Sequence, residues 1–179
     1  MTVGDLSHRV STAASLTCVS PTWRDEATRI LRTADKTSGA INQRYWSTRR
    51  FEPFVLHCVD ILEGVQPDPA GLSSPYAEVL ASWDDEEALA QALHDVCDYH
   101  ERYMDDLGGD WDPEFDQPPF DLIACELIFI KHIRTELGLP TPTIDHPLVS
   151  VLGTELPIGD VPVDPLLERV EEAFDNCFR

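Results

Sequence analysis

Hydrophobic residues recur along most of this chain at intervals of three and four residues, which is the spacing of one face of an α-helix. The clearest repeat runs from Trp83 to Leu107. At 100° per residue, one face of this segment collects Leu89, Leu93, Val96, His100, Tyr103, Met104 and Leu107. Carboxylates crowd its first turns, where the helix dipole favours negative charge. No segment alternates between apolar and polar residues in the manner of a strand, so the sequence predicts an all-α fold.

Proline and glycine divide the remainder of the chain into shorter helical segments. The predicted helices cover residues 21–37, 41–51, 53–62, 75–82, 83–107, 120–137 and 164–177. The segment 120–137 is apolar on most of its circumference, which is typical of a central helix. Residues 1–20 show little amphipathic pattern, and we predict a loose N-terminal leader there. The expected architecture is a single helical domain over 21–179, a bundle of about six to seven helices with proline-rich connecting loops.

The composition narrows the class of protein. A length of 179 residues suits one domain that needs no disulfide or metal to hold it together. The five cysteines are widely spaced and never form a Cys-x-x-Cys pair, so we expect buried free thiols. The longest apolar run, Leu122 to Ile130, is interrupted by Glu126 and is far shorter than the ~20 residues that cross a bilayer. The first residues also lack the pattern of a secretory signal, and we therefore expect a cytoplasmic protein without a membrane span.

The distribution of charge restricts the possible functions more than any other feature of the sequence does. Phe51 to Ile130 contains twenty carboxylates and one basic side chain, Arg102, whereas the first fifty residues hold eight Lys or Arg against four Asp or Glu. This segregation predicts a surface of one sign, which attracts cationic partners and repels nucleic acid and anionic membranes. Adaptation to high salt also produces acidic chains, but it acidifies the whole surface, and the basic excess before Arg50 argues against it. We predict a basic protein partner, and neither nucleic-acid nor membrane binding.

The predicted contact surface combines the polar face of the long helix with the acidic loop that follows it. Carboxylates form its rim, and Trp111 and Phe115 act as aromatic anchors inside that rim. The candidate residues are Asp95, Asp98, Glu101, Asp105, Asp106, Asp110, Trp111, Asp112, Phe115 and Asp116.

An alternative function is that of a divalent-metal-dependent enzyme. A stripe about 60° wide on the polar face of the same helix holds His94, Asp98, Glu101 and Asp105. An imidazole and a carboxylate four residues apart can share an ion. However, the sequence has no Glu-x-x-His or His-Glu-x-x-His motif to supply further ligands, and it has no phosphate-binding glycine loop. We therefore predict no catalytic residue and no cofactor.

A third possible function is that of a scaffold or regulator. Such a protein would form a homodimer through exposed apolar helix faces.

Glu126 lies in the otherwise apolar segment 122–130, where an isolated carboxylate is costly to bury. It therefore needs a hydrogen-bond donor. We predict an arginine from the only arginine-rich helix, with the candidates Arg44, Arg49 and Arg50. His100 lies among the apolar positions of the long helix, and we predict that it is a hydrogen-bonded core residue.

Three motifs follow one another in the second half of the chain: Pro118-Pro-Phe-Asp-Leu-Ile-Ala-Cys-Glu-Leu, Gly138-Leu-Pro and Asp145-His-Pro-Leu. With these motifs the chain resembles small helical immunity proteins of bacterial toxin systems, including the PoNe-immunity type, although it is shorter than their usual two-part members. The resemblance implies a cytoplasmic antitoxin that binds and occludes a DNA-degrading effector, without catalysis or a cofactor. The acidic charge agrees with this implication, because domains that bind phosphate backbones are usually basic and complementary charge speeds association with them.

Overall fold

A computed structural model describes residues 3–41, 49–104, 114–115 and 121–151, together with residues 165, 169, 170, 172, 173 and 176. Helices dominate these residues and no strand occurs among them, so the all-α prediction is confirmed. Within these ranges the helices are α1 (Val3–Val19), α2 (Arg24–Ile41), α3 (Phe51–Leu62), α4 (Tyr76–Ala81), α5 (Glu86–Tyr103), α6 (Cys125–Glu136) and α7 (Pro147–Val151). Among the described helices, none combines the length and the hydrophobicity of a membrane span.

The first helix occupies the segment for which we predicted a loose leader, so the prediction for residues 1–20 is wrong over Val3–Val19. The helix packs against α2, α3 and α6. Its buried residues, which recur at helical spacing, include Val10, Ala13, Ala14 and Cys18. Small side chains permit close packing but give little contrast between an apolar and a polar face, which is why the sequence pattern did not reveal the helix.

Aromatic rings join α3, α4 and α5 in the core. Phe54 of α3 stacks on Tyr76 of α4, with ring centroids 4.4 Å apart, and Tyr76 meets Tyr99 of α5 edge-on at 5.7 Å. Such pairs contribute about 0.5–1.5 kcal/mol each beyond the burial of their area. The helix α6 packs against α1 and α3 and adds the fully buried residues Phe129, Ile130 and Ile133.

The helix α5 has one buried and one exposed face. It is shorter than the predicted 83–107, because it begins at Glu86, where the Asp85 carboxylate caps it by accepting a hydrogen bond from Ala88 N (3.1 Å), and it ends at Tyr103. The predicted inward positions that are buried are Leu89, Leu93, Val96 and His100. The opposite face of α5 is thereby left to solvent.

The described cysteines are buried free thiols, as the sequence predicted. Burial raises the pKa of the Cys97 thiol to about 12, and it raises the pKa of Cys18 and of Cys58 well above the usual value. Since the thiolate is the reactive form, these three groups are poor nucleophiles at neutral pH. Cys177 lies outside the described residues.

Candidate functional site

The exposed face of α5 carries four carboxylates, which we call the acidic stripe: Glu87, Asp95, Asp98 and Glu101. At a rise of 1.5 Å per residue, the stripe is about 21 Å long. Gln91 lies along it and donates a hydrogen bond to Asp95 Oδ1 (2.9 Å). The stripe continues the acidic start of the helix, where Asp84, Asp85 and Glu86 are also exposed.

The carboxylates of the acidic stripe differ from those near α2 in their partners. In the part of the chain that the structure describes, no Lys or Arg pairs with a stripe carboxylate. On α2, Arg32 contacts Asp60 at 3.0 Å and Glu63 at 2.9 Å, and Arg29 pairs with Glu26. The charges of Arg29 and Arg32 are thus offset locally by carboxylates, whereas the stripe carboxylates have no such partner among the described residues.

The structure places part of the predicted contact surface on this stripe. Asp95, Asp98 and Glu101 are exposed and share one face of α5. The other predicted carboxylates and Trp111 lie outside the described residues; they are Asp105, Asp106, Asp110, Trp111, Asp112 and Asp116.

Phe115 is not an exposed anchor, so its predicted role is wrong. Its side chain is only 2% exposed. The ring stacks on His100, with ring centroids 4.0 Å apart, and contacts Phe51 at 5.2 Å. Acidic residues and prolines flank Phe115 in the sequence and suggest an exposed loop, but its burial depends on contacts with α3 and α5 that no local pattern reveals.

Glu114 holds the same segment against the start of α3. Its carboxylate accepts hydrogen bonds from Arg50 N (2.8 Å) and Phe51 N (3.1 Å), so it caps that helix from a distant part of the chain. Burial raises the pKa of Glu114 to about 8, and repulsion from Glu52 adds to this, whereas the two backbone hydrogen bonds and Arg49 oppose it. No local pattern in the sequence indicates this cap, because it joins residues 63 and 64 positions apart.

Glu126 has a different partner from the one we predicted. Its Oε1 lies 2.9 Å from His100 Nδ1, and both side chains are completely buried. The helices α5 and α6 bring these two groups together, because His100 is on the buried face of α5 and Glu126 is in the first turn of α6. Of the predicted arginines, Arg49 is buried and its charge acts on Glu114, Arg50 donates to Ser74 O and lies over the Tyr99 ring, and Arg44 is outside the described residues. The prediction of a buried, hydrogen-bonded His100 is confirmed.

A third carboxylate is buried in the core. Glu52 of α3 accepts a hydrogen bond from the Ser11 hydroxyl at 3.0 Å and is 0% exposed. With Glu114 and Glu126, it removes three of the twenty carboxylates between Phe51 and Ile130 from the surface. These three groups therefore organise the core and do not belong to the contact surface.

Two histidines lie beside the middle of the acidic stripe. His94 Nδ1 is 3.5 Å from Asp98 Oδ2, and His146 Nε2 is 3.3 Å from Asp98 Oδ1. His146 comes from the segment before α7, and its ring lies edge-on to that of His94 at 5.1 Å. The metal alternative named His94, Asp98 and Glu101 but missed His146, which is distant in sequence; its fourth member, Asp105, is outside the described residues.

A groove of about 560 Å³ lies between α5 and the segment 143–145. Its charged lining consists of Asp85, Glu87 and Asp145, and His94 contributes an imidazole. No Lys or Arg of the described residues lines it. The groove therefore offers a cationic side chain a recess with negative charge on both walls.

No protein-family model matches the chain, and comparisons with curated proteins and with solved structures give no match either.

Proposed function

We propose that this chain is an acidic immunity protein of the bacterial cytoplasm, which binds a basic, nuclease-like toxin domain and blocks it. The observation that supports the proposal is the acidic stripe, a row of exposed carboxylates about 21 Å long that form no ion pair with a described Lys or Arg. A domain that cleaves nucleic acid needs basic side chains to hold phosphates. A negative helix face is complementary to such a surface and competes with the phosphates for it.

The proposed inhibition needs only occlusion. Complementary charges accelerate the encounter of the two proteins and align them, and contacts made after the encounter set the lifetime of the complex. The groove beside Glu87 and Asp145 is suited to a Lys or Arg side chain of the toxin. An arginine bound there would form charge-assisted hydrogen bonds that fix the register of the stripe on the partner.

The resemblance to immunity proteins supports the same proposal from another part of the chain. Its Asp145-His-Pro-Leu motif lies against the stripe, since His146 contacts Asp98 and Asp145 lines the groove. The motif and the acidic face therefore form a continuous region of the surface. We propose that both belong to one contact surface.

The test uses the product of the open reading frame adjacent to the gene. We expect that product to contain a basic domain, to form a stoichiometric complex with the purified chain, and to lose nuclease activity in it. The association rate should fall steeply as NaCl rises, because screening weakens steering. A neighbouring product that neither binds the chain nor is inhibited by it would count against the proposal.

The contribution of the stripe is tested with a charge-matched pair of triple variants. Glu87→Gln, Asp95→Asn and Glu101→Gln together remove three stripe charges and leave Asp98, which bonds to His146, intact. The control is Asp25→Asn, Asp68→Asn and Glu136→Gln, which removes three exposed charges elsewhere. We expect the stripe variant to slow association at least about tenfold more than the control. Equal rates in the two variants would show that net charge, and not the stripe, drives binding.

A further inference from the structure

His146 is an imidazole that the fold buries against two carboxylates of the acidic stripe. It is 5% exposed, although its sequence neighbours Asp145 and Pro147 are both exposed. Its Nε2 lies 3.3 Å from Asp98 Oδ1. Glu101 is three residues beyond Asp98, so both carboxylates lie on the same side of α5.

The three side chains converge closely enough to share one ion. One ligand atom from each of Asp98, Glu101 and His146 lies within 4.8 Å of the other two. Around a tetrahedral ion with bonds of about 2.1 Å, neighbouring ligand atoms are about 3.4 Å apart. The distance between Asp98 Oδ1 and His146 Nε2, 3.3 Å, is already close to this spacing. The exposed Glu101 side chain closes the remaining gap by rotating.

We propose that Asp98, Glu101 and His146 form a binding site for Zn²⁺, with water completing the coordination. Imidazole and carboxylate are the ligands that zinc accepts, whereas Mg²⁺ and Ca²⁺ prefer oxygen ligands alone. His94 and Asp95 contribute a second group of ligand atoms around the same Asp98, also within 4.8 Å of one another. Asp98 is therefore the common residue of the whole cluster.

Binding requires a change of tautomer in His146. Leu148 N donates a hydrogen bond to His146 Nδ1 (3.2 Å), so in the neutral ring the proton is on Nε2, which donates to Asp98. When Zn²⁺ takes the Nε2 lone pair, that proton must be carried by Nδ1, and no net proton is released. The bond from Leu148 N is then lost at the start of α7. Zinc binding is thus coupled to the first turn of α7, which lowers the affinity of the site.

This site goes beyond the proposed partner binding and stands independently of it. Bound Zn²⁺ would neutralise two of the four stripe carboxylates, so we expect it to oppose a basic partner on the same face. The zinc titration contains no partner protein. A failure to bind zinc therefore leaves the proposed immunity function untouched. A failure to bind a basic partner likewise leaves the proposed zinc site untouched.

The test is calorimetric titration of the untagged chain with ZnCl₂. We expect one saturable equivalent in the wild type, a loss of affinity of at least about tenfold in His146→Ala, and a similar loss in Glu101→Gln. Glu101 is exposed, so that variant changes the ligand set without disturbing the core. The matched control is His132→Ala: His132 and Glu136 form another histidine–carboxylate pair four residues apart on a helix, and the described residues supply no third ligand there.

The control should bind zinc as the wild type does. The amide resonance of Leu148 should shift on zinc addition in the wild type and stay unchanged in His146→Ala. Absence of saturable binding in the wild type would overturn the proposal. Wild-type affinity in both His146→Ala and Glu101→Gln would overturn it as well, because zinc would then be bound elsewhere.

Discussion

At the scale of single residues, the buried polar groups explain how so acidic a chain builds a core. The Glu126 carboxylate and the His100 imidazole are both inaccessible to water and lie 2.9 Å apart. A buried carboxylate without a donor costs several kcal/mol, so this contact is a condition for packing the first turn of α6. Phe115 stacks on the other group of the pair, His100, and restricts its orientation.

We predict that Glu126→Gln lowers the free energy of unfolding by about 2–3 kcal/mol, because the amide keeps the shape of the carboxylate but loses the charge-assisted hydrogen bond. Urea unfolding followed by circular dichroism measures the change. The control, Glu136→Gln, alters an exposed carboxylate on the same helix and should stay within about 0.5 kcal/mol of the wild type. Indistinguishable stabilities of the two variants would contradict the structural role of the Glu126–His100 contact.

Glu114 makes stability depend on pH. Burial raises its pKa to about 8 in the folded chain, against 4.5 for an ordinary glutamate. The folded state therefore favours the protonated carboxyl, and the resulting stabilisation is complete below about pH 4.5 and is lost as the pH rises through about 8. We predict that wild-type stability falls between about pH 5 and about pH 8 relative to that of Glu114→Gln, whose amide cannot ionise.

The measurement is urea unfolding of the two proteins at both pH values. Because every other titrating group is common to the two proteins, the difference between them reports the ionisation of Glu114 together with its repulsion from Glu52. Parallel pH profiles for the wild type and Glu114→Gln would contradict the raised pKa.

At the scale of elements, the size of the apolar side chains decides which helices the sequence reveals. The faces of α3 and α5 consist of large residues such as Phe54, Leu89 and Leu93, and their helical spacing is plain. The helix α1 buries small residues such as Ala13 and Ala14, and this face does not stand out from its surroundings. Hydrophobic contrast can locate a helix only where the buried face differs strongly from the exposed one.

The close packing of α1 gives a direct test. Ala14 is 0% exposed, and we predict that Ala14→Leu lowers the free energy of unfolding by about 1–3 kcal/mol, because the added methyl groups find no space between α1 and its neighbours. Thermal and urea unfolding measure the loss. The matched control is Ala88→Leu, the same change at an exposed position in the first turn of α5, which should be within about 0.5 kcal/mol of the wild type. A neutral Ala14→Leu would indicate that α1 is not part of the core.

At the scale of the whole molecule, the contacts that the sequence could not predict are those that join distant segments. The acidic stripe follows from the periodicity of α5 alone. Three of its exposed carboxylates, Asp95, Asp98 and Glu101, belong to the contact surface that the sequence predicted, whereas Glu87 does not. The pairs His100–Glu126 and Asp98–His146 join residues 26 and 48 positions apart, and nothing local in the sequence selects these partners. Tertiary packing likewise buries Phe115, although its sequence neighbours are typical of an exposed acidic loop.

The net charge of −20 acts on the whole fold. Like charges along the acidic stripe repel one another in the folded chain, and this repulsion opposes compaction. Raising NaCl from about 0.1 M to about 1 M shortens the Debye length from about 10 Å to about 3 Å. At the higher concentration, most of the repulsion between the stripe carboxylates is screened. We therefore predict that the free energy of unfolding rises with NaCl over this range, as measured by urea titrations at fixed salt.

The two triple variants separate repulsion within the acidic stripe from a general effect of salt. Removing the charges of Glu87, Asp95 and Glu101 should reduce the gain in stability from NaCl, because fewer like charges remain to be screened. The control variant removes equal charge at Asp25, Asp68 and Glu136, but Asp25 and Glu136 line a groove with Arg24, Arg29 and Arg32, where screening weakens attraction. Its gain from NaCl should therefore be at least that of the wild type. Equal salt responses in both variants would mean that the stripe carries no special repulsion, and they would weaken the case that its charge is concentrated enough to steer a basic partner.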